Sequence, residues 1–238
     1  MRERQCLCGF REPRLRSVAD SSAQRVMLAI ESISMGLGGS KDREQRLTQW
    51  RSGSWGTVSQ DLLHLVAKLF RLSKAEAESS EDRNSSRFVY AGIPLLVSAL
   101  RSFIIEYESI GSLIPPPAEL NDPLVKLLAD RYGAGAGLLA DLEYLSEIRN
   151  EILHPVPLPS GTPDNWPEYL RRLKEKGLLT SSGCADADYI MLGQIASHRL
   201  FDWAVEVTRR SYEAVVEHDP SRGAHFQGFL WSFTTLFR

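Results

Sequence analysis

One short run, RNEILHP at residues 149–155, contains the residue types needed for chemistry on a phosphodiester. An arginine can stabilise charge on a phosphate because its planar guanidinium presents several N–H donors. Histidine side chains exchange protons near neutral pH, which suits a general acid or base. Arg149 and His154, together with the polar Asn150 beside the arginine, are therefore the candidate catalytic residues of this sequence.

This run ends a predicted helix that spans about residues 138–154. One apolar stripe follows the helix at 100° per residue and consists of Leu142, Leu145, Ile148 and Ile152. Arg149 projects at the edge of this stripe, and His154 lies about 140° further around an ideal helix. The two side chains therefore meet only if the last turn unwinds or if a second subunit completes the site. Pro155 favours unwinding at His154, because the residue before a proline avoids helical geometry.

Both residues also have purely structural explanations. An arginine beside an apolar stripe often extends to solvent or pairs with a carboxylate on a neighbouring helix. A histidine in a last helical turn is favoured by the helix dipole and can cap free carbonyls. A structural bundle without a site is therefore an alternative that Arg149 and His154 alone do not exclude.

The run resembles the Arg-x4-6-His signature of the HEPN superfamily (higher eukaryotes and prokaryotes nucleotide-binding), in which a polar residue such as Asn150 commonly follows the arginine. The resemblance covers about residues 85–220. It implies metal-independent RNA cleavage without a cofactor, as in bacterial toxin–antitoxin or anti-phage (antiviral) defence systems. It also implies a homodimer, with an antitoxin or another protein as a further partner.

The same resemblance implies a role for each residue of the run. His154 would act as general base or acid toward a ribose 2′-hydroxyl, and Arg149 would stabilise the phosphate. Asn150 would orient the histidine or hold a phosphate oxygen. Many members of the superfamily have lost activity, so the alternative is an inactive HEPN-like module that binds RNA, a nucleotide or a protein partner.

Residues after the run are candidates for contacting a substrate. Trp166 could stack on a base, and three basic residues could contact a phosphate backbone: Arg171, Arg172 and Lys174. A structural role is slightly favoured for the tryptophan, as an anchor of its loop on the bundle, and the basic residues could equally form a solvated face. Residues 140–180 contain five basic and seven acidic residues, a net charge of −2, which is unlike an extended RNA-binding surface.

The remaining pattern predicts an all-α, up-and-down helical bundle of the HEPN type with an additional N-terminal helical segment. Long helices are expected at about 87–109 and 187–217, and a short basic helix at about 168–176. The expected organisation is a flexible tail over 1–20, a helical segment over 21–80 and the bundle domain over 81–238. The serine-rich connector at 79–86 marks the last boundary.

Bulk composition is typical of a globular protein, with a net charge of −2 and a pI near 6.2. Three cysteines are too few for a disulfide framework: Cys6, Cys8 and Cys184. No pattern of metal ligands is apparent, and the longest apolar run, 91–100, is shorter than the roughly 20 residues that span a bilayer. We therefore expect a cytoplasmic protein without a metal or a membrane segment.

Overall fold

Eight helices pack as a bundle in the computed structural model, which describes residues 58–109, 122–154, 166–180, 190–220 and 226–237. They are α1 Val58–Ser79, α2 Val89–Ser109, α3 Leu124–Tyr132, α4 Ala136–Leu153, α5 Glu168–Glu175, α6 Ile190–Ile195, α7 His198–His218 and α8 Gln227–Leu236. No strand occurs within these ranges, apart from an isolated bridge between Ser85 and Ser197. The predicted all-α helical bundle is confirmed. The predicted tail over 1–20, the three cysteines and Pro155 lie outside the described residues.

Helix α2 is the central element of the bundle, because α1, α4 and α7 all pack against it. Its largest fully buried side chains are Ile93, Leu96, Leu100, Phe103, Ile104 and Tyr107. With 21 residues and a mean hydropathy of 1.5, α2 is long and apolar enough to cross a membrane by composition alone. Burial in the bundle also accounts for this composition, since 61% of its most apolar window is buried inside the protein.

Gly92 allows α2 and α7 to approach each other closely. A Cβ atom built at Gly92 would overlap the ring of Phe201, which is itself fully buried on α7. Phe201 also packs edge-to-face with Phe70 of α1, with ring centroids 5.4 Å apart. One aromatic ring therefore joins three helices, and it fits because residue 92 has no side chain.

Two buried carboxylates near the end of α2 bind the neighbouring helices. Glu106 accepts hydrogen bonds from the backbone N–H of Ser59, at 3.0 Å, and from the Ser59 hydroxyl at the start of α1. Glu108 accepts a hydrogen bond from Arg131 Nε at 2.9 Å and one from the Tyr132 hydroxyl at 2.5 Å, both on α3. Each buried charge therefore has partners, as burial requires.

The predicted helix over 187–217 is wrong in one respect, because the chain breaks between α6 and α7. Ser197 is the N-cap of α7, and its hydroxyl accepts a hydrogen bond from the N–H of Leu200 at 3.3 Å. The side chain of buried Asn84 accepts hydrogen bonds from the Ser197 hydroxyl at 3.1 Å and from the Arg199 N–H at 3.0 Å. This buried polar contact with the serine-rich connector favours a new helix start at Ser197 over one continuous helix.

Helix α1 lies before the serine-rich connector and α2 lies after it, and the two helices pack on each other. Asp82 holds the connector in a tight turn by accepting hydrogen bonds from the N–H groups of Asn84, at 3.0 Å, and Ser85, at 2.9 Å. The residues on both sides of the connector therefore share one core.

We expect Gly92→Ala to lower the free energy of unfolding by about 1–3 kcal/mol, because the added methyl group must displace the Phe201 ring. Chemical denaturation of the purified variant measures this change. The matched control is Gly137→Ala, where nothing lies within 4 Å of the new Cβ. Alanine has the better helix propensity, so the control variant should be as stable as the wild type or slightly more stable. Equal stability of wild type and Gly92→Ala would contradict the close approach of α2 and α7.

Candidate functional site

Helix α4 carries the candidate catalytic residues Arg149 and Asn150 and ends just before His154. Its position and its length follow from its buried apolar side chains and from the residues at its ends. Leu142, Leu145 and Ile148 are fully buried, which fixes the rotation of the helix against the bundle. The helix ends at His154, whose dihedral angles, φ −136° and ψ 64°, lie outside the helical region. The His154 N–H still donates to the carbonyl of Asn150 at 2.7 Å. The backbone thus leaves the helix at the residue that precedes Pro155, as the sequence favours.

Arg149 is half-buried, and no carboxylate pairs with it in the part of the chain that the structure describes. Its Nη1 donates to Oδ1 of the adjacent Asn150 at 3.0 Å. The structural explanation in which Arg149 serves a buried ion pair is therefore not what is observed. Instead, the amide of Asn150 orients a guanidinium whose charge no described carboxylate neutralises.

His154 is exposed, and no described residue forms a hydrogen bond or ion pair with its imidazole. Among the described residues, no hydrogen bond connects Arg149 and His154 either. Leaving the helix at His154 is therefore not sufficient to join the two side chains by a hydrogen bond within one chain. A common substrate or a second subunit would have to join them.

Helix α5 runs antiparallel along one side of α4. Lys176, after the end of α5, forms a 2.7 Å ion pair with Asp141 near the start of α4. At the other end, the hydroxyl of Tyr169 is hydrogen-bonded to Glu151 beside the motif. Burial, together with the carboxylate of Glu151, raises the pKa of the Tyr169 phenol and keeps it protonated.

The four predicted substrate-binding residues lie on α5 or next to it. Lys174 places its Nζ 5.0 Å from the ring centroid of Trp166, a cation–π contact within the same segment. Arg172 forms ion pairs with two carboxylates of its own segment, at 3.7 Å and 3.2 Å. Arg171 is exposed. The four residues therefore share one surface segment, in which two of them contact each other and a third is paired with acids.

This segment and Arg149 lie on opposite sides of α4. Glu147 and Glu151 both interact with Tyr169 of α5, and Arg149 lies between them in sequence. At 100° per residue, Arg149 is about 160° around the helix from either glutamate. The structure therefore brings together Arg149 and Asn150, but it does not bring them to the surface of α5.

The charge of Arg149 acts on a residue that the sequence did not single out, Arg101 of α2. Its Nη2 donates to the carbonyl of Asp122 at 2.8 Å, and its side chain is half-buried. Burial lowers the pKa of Arg101, and the guanidinium of Arg149 lowers it further, while Asp122 acts in the opposite direction. The sequence signal that could have identified Arg101 is its position as a charged residue in the middle of the most apolar helix, because such residues need a specific partner or a ligand.

Neither a metal site among the described residues nor a match to a known protein adds to the description of the site. Among the described residues, no group of three or more His, Cys, Asp or Glu side chains is arranged to hold a metal ion. Comparison of the chain with protein-family models, with curated proteins and with solved structures finds no match. The functional argument therefore depends on the geometry of the site.

Asp141→Ala should lower the free energy of unfolding by about 1–3 kcal/mol at pH 7, because Lys176 and Arg210 both lose their partner. Burial raises the pKa of Asp141, but hydrogen bonds from Lys176 and Arg210 outweigh burial and hold it below the ordinary 3.8. Since this folded-state pKa is depressed, the contribution is complete above about pH 4–5 and is lost as the pH falls through the folded-state value.

Urea titrations of wild type and Asp141→Ala, repeated between pH 7 and the lowest pH at which both fold, measure this effect. The difference between them should shrink toward acid pH. Glu143→Ala, at an exposed position on the same helix, is the control and should change stability by less than about 0.5 kcal/mol. A difference that grows toward acid pH would contradict the assignment.

Arg149→Gln should leave stability unchanged or raise it by a few tenths of a kcal/mol, because the change removes repulsion toward Arg101 and breaks no ion pair. Any gain should diminish in high salt, which screens the repulsion. Arg131→Gln, which breaks the pair with buried Glu108, is the contrasting variant and should be clearly destabilising. Thermal unfolding at low and high salt makes the comparison, and a strongly destabilised Arg149→Gln would show that this arginine is structural.

Proposed function

We propose that the chain is a metal-independent endoribonuclease of the HEPN type that acts through Arg149, Asn150 and His154. The observation that supports this most is the half-buried guanidinium of Arg149, which no described carboxylate neutralises. A cation at the edge of a core without a counter-charge costs free energy, and such groups concentrate at functional sites. A phosphate of RNA would supply the missing negative charge, and the exposed histidine lies five residues away in sequence.

In the proposed reaction, a ribose 2′-hydroxyl attacks the adjacent phosphorus and the bond to the 5′-oxygen of the next nucleotide breaks. His154 removes the proton of the 2′-hydroxyl as general base or protonates the leaving 5′-oxygen as general acid. Arg149 donates hydrogen bonds to the non-bridging oxygens, where negative charge increases in the transition state. One strand ends in a 2′,3′-cyclic phosphate and the other in a 5′-hydroxyl, so protons balance and no water is consumed.

The proposed active form is a cytoplasmic homodimer. Arg149 and His154 of one chain are not joined by a hydrogen bond, so a second chain would provide the complementary residue of each site. Such an enzyme would suit a toxin or an anti-phage effector, in which case an antitoxin or another protein would restrain it. Trp166, Arg171, Arg172 and Lys174 remain the proposed contacts for more distant parts of the RNA.

The alternative is an inactive HEPN-like module that binds RNA, a nucleotide or a protein partner. One observation favours it: no described residue holds the imidazole of His154 in a fixed orientation, as a preorganised general base would be held. The net charge of −2 over residues 140–180 also favours a short or small ligand over long RNA.

We expect the purified full chain to cleave a panel of 5′-labelled RNAs in the presence of EDTA. His154→Ala and Arg149→Ala should each reduce cleavage by about 100-fold or more, because each removes a contribution to the transition state. Controls are His64→Ala and Arg199→Ala, two exposed residues on other helices, and both should cleave at the wild-type rate. End-group analysis should find the cyclic phosphate.

Mixing the two inactive variants tests the dimer. If each site takes its arginine and its histidine from different chains, mixed dimers contain one intact site and recover part of the activity. A wild type that cleaves nothing but still binds RNA would favour the binding module. Full activity in Arg149→Ala or His154→Ala would exclude the proposed mechanism.

A further inference from the structure

Helix α1 carries an apolar stripe that the described part of the bundle leaves open. Three of the large hydrophobic side chains that are exposed among the described residues lie on this helix, at Val58, Leu65 and Leu72. Their exposed fractions are 47%, 41% and 49%. Neighbouring members are seven residues apart in sequence, so all three lie within about 40° of one another around the helix. Single exposed leucines are ordinary, whereas an aligned series on one helix indicates a contact surface.

The stripe is distinct from the face that α1 buries in the bundle. Leu63, Val66 and Phe70 are buried on that face, and α1 packs against α2, α7 and α8. The stripe lies about 120° around the helix from the middle of the buried face. A repeat of seven residues is the spacing at which two helices can pack along each other over several turns. Helix α1 therefore has one apolar face for its own bundle and another that suits a further helix.

Two opposite charges lie along one edge of the stripe, at Asp61 and Lys68. Both side chains are exposed, and no described residue forms an ion pair with either of them. Asp61 is four residues before Leu65, and Lys68 is three residues after it. The acid and the base are thus almost equally far from the middle of the stripe, in opposite directions along the helix.

This arrangement is complementary to itself when one copy is reversed. An antiparallel α1 of a second chain, related by a two-fold axis at Leu65, would place Val58 against Leu72 of that chain and the two Leu65 side chains against each other. The same axis would place Asp61 beside Lys68 of the second copy, and the reverse pair would form on the other side of the axis. Apolar groups and charges are therefore matched in a single register.

We propose that α1 is a self-association surface, on which a second copy of this chain docks its own α1 in the antiparallel direction around Leu65. Such an interface is isologous, because each chain contributes the same residues. From Val58 to Leu72 the stripe is about 21 Å long, at 1.5 Å per residue. A contact of this length is at the small end of protein interfaces, so the dimer forms at high concentration and dissociates on dilution.

The surface is separate from the proposed active site. Helix α4, which carries Arg149 and Asn150, packs against α2, α3, α6 and α7, and none of the proposed catalytic residues lies on α1. The proposal therefore does not depend on RNA cleavage. A contact that joined Arg149 to His154 of another chain would be a different interface.

Sedimentation equilibrium of the full chain over a range of concentrations measures self-association. Leu65→Glu places two glutamates against each other at the centre of the contact and should raise the dissociation constant about 10-fold or more. Because Leu65 is exposed, the variant should unfold at the wild-type temperature. Trp231→Glu, at a side chain that is 72% exposed on α8, is the matched control and should associate as the wild type does.

Charge reversal tests the antiparallel register. Asp61→Lys leaves only lysines along the edge and Lys68→Asp leaves only aspartates, so each variant alone should associate about 5-fold or more weakly than the wild type. In an equimolar mixture of the two variants, every facing pair is opposite in sign, and association should return to the wild-type level. High salt should reduce these differences. Glu143→Lys, at an exposed position on α4, is the charge-reversal control and should have no effect.

Three results would each overturn the proposal. A wild type that stays monomeric at every concentration would mean that a different protein or another part of the chain covers the stripe. Equal association of Leu65→Glu and the wild type would place the contact elsewhere. A mixture of Asp61→Lys and Lys68→Asp that associates no better than its components would exclude the antiparallel pairing.

Discussion

Burial of α2 is the constraint on which the rest of the structure depends, because three other helices pack around this one. Gly92 sets the closest approach, where the ring of Phe201 lies against the helix backbone. Each charged group of a surrounded helix must find a partner near its own position. Glu106 therefore binds the start of α1, Glu108 binds α3, and Arg101 binds the segment that leads into α3. The polar residues of the core helix thus determine where neighbouring helices begin or end.

The charged residues of α4 differ in how they are partnered. Asp141 binds both Lys176 and Arg210, and Glu151 binds Tyr169. Asp141 is thus matched by two cations, whereas Oε2 of Glu151 is buried without a hydrogen-bond partner among the described residues. Among the described residues, the hydrogen-bond partner of Arg149 is the amide of Asn150, and its charge acts on that of Arg101. A half-buried cation that no described carboxylate pairs with carries a local energetic cost, which is typical of ligand sites.

The positions of Arg149 and His154 also limit the chemistry that a single chain could carry out. His154 has left the helix and is exposed, while Arg149 remains on a helical turn that faces α2. If His154 transfers protons and Arg149 binds phosphate, as proposed, a third body would have to join them. That body would be RNA or a second copy of the chain. The proposed dimer and the proposed substrate are therefore connected by one geometric requirement.

Local sequence determined much of this protein. The apolar stripe of α4, its end at His154 before Pro155 and the amphipathic α5 follow from residues close together in the chain, because helical periodicity and termination act over a few residues. Tertiary structure decided the rest. The break before α7 depends on Asn84, more than 100 residues away, and the electrostatic coupling of Arg149 to Arg101 depends on how α4 packs against α2. Neither periodicity nor spacing carries that information, because contacts between distant segments arise from packing of the whole core.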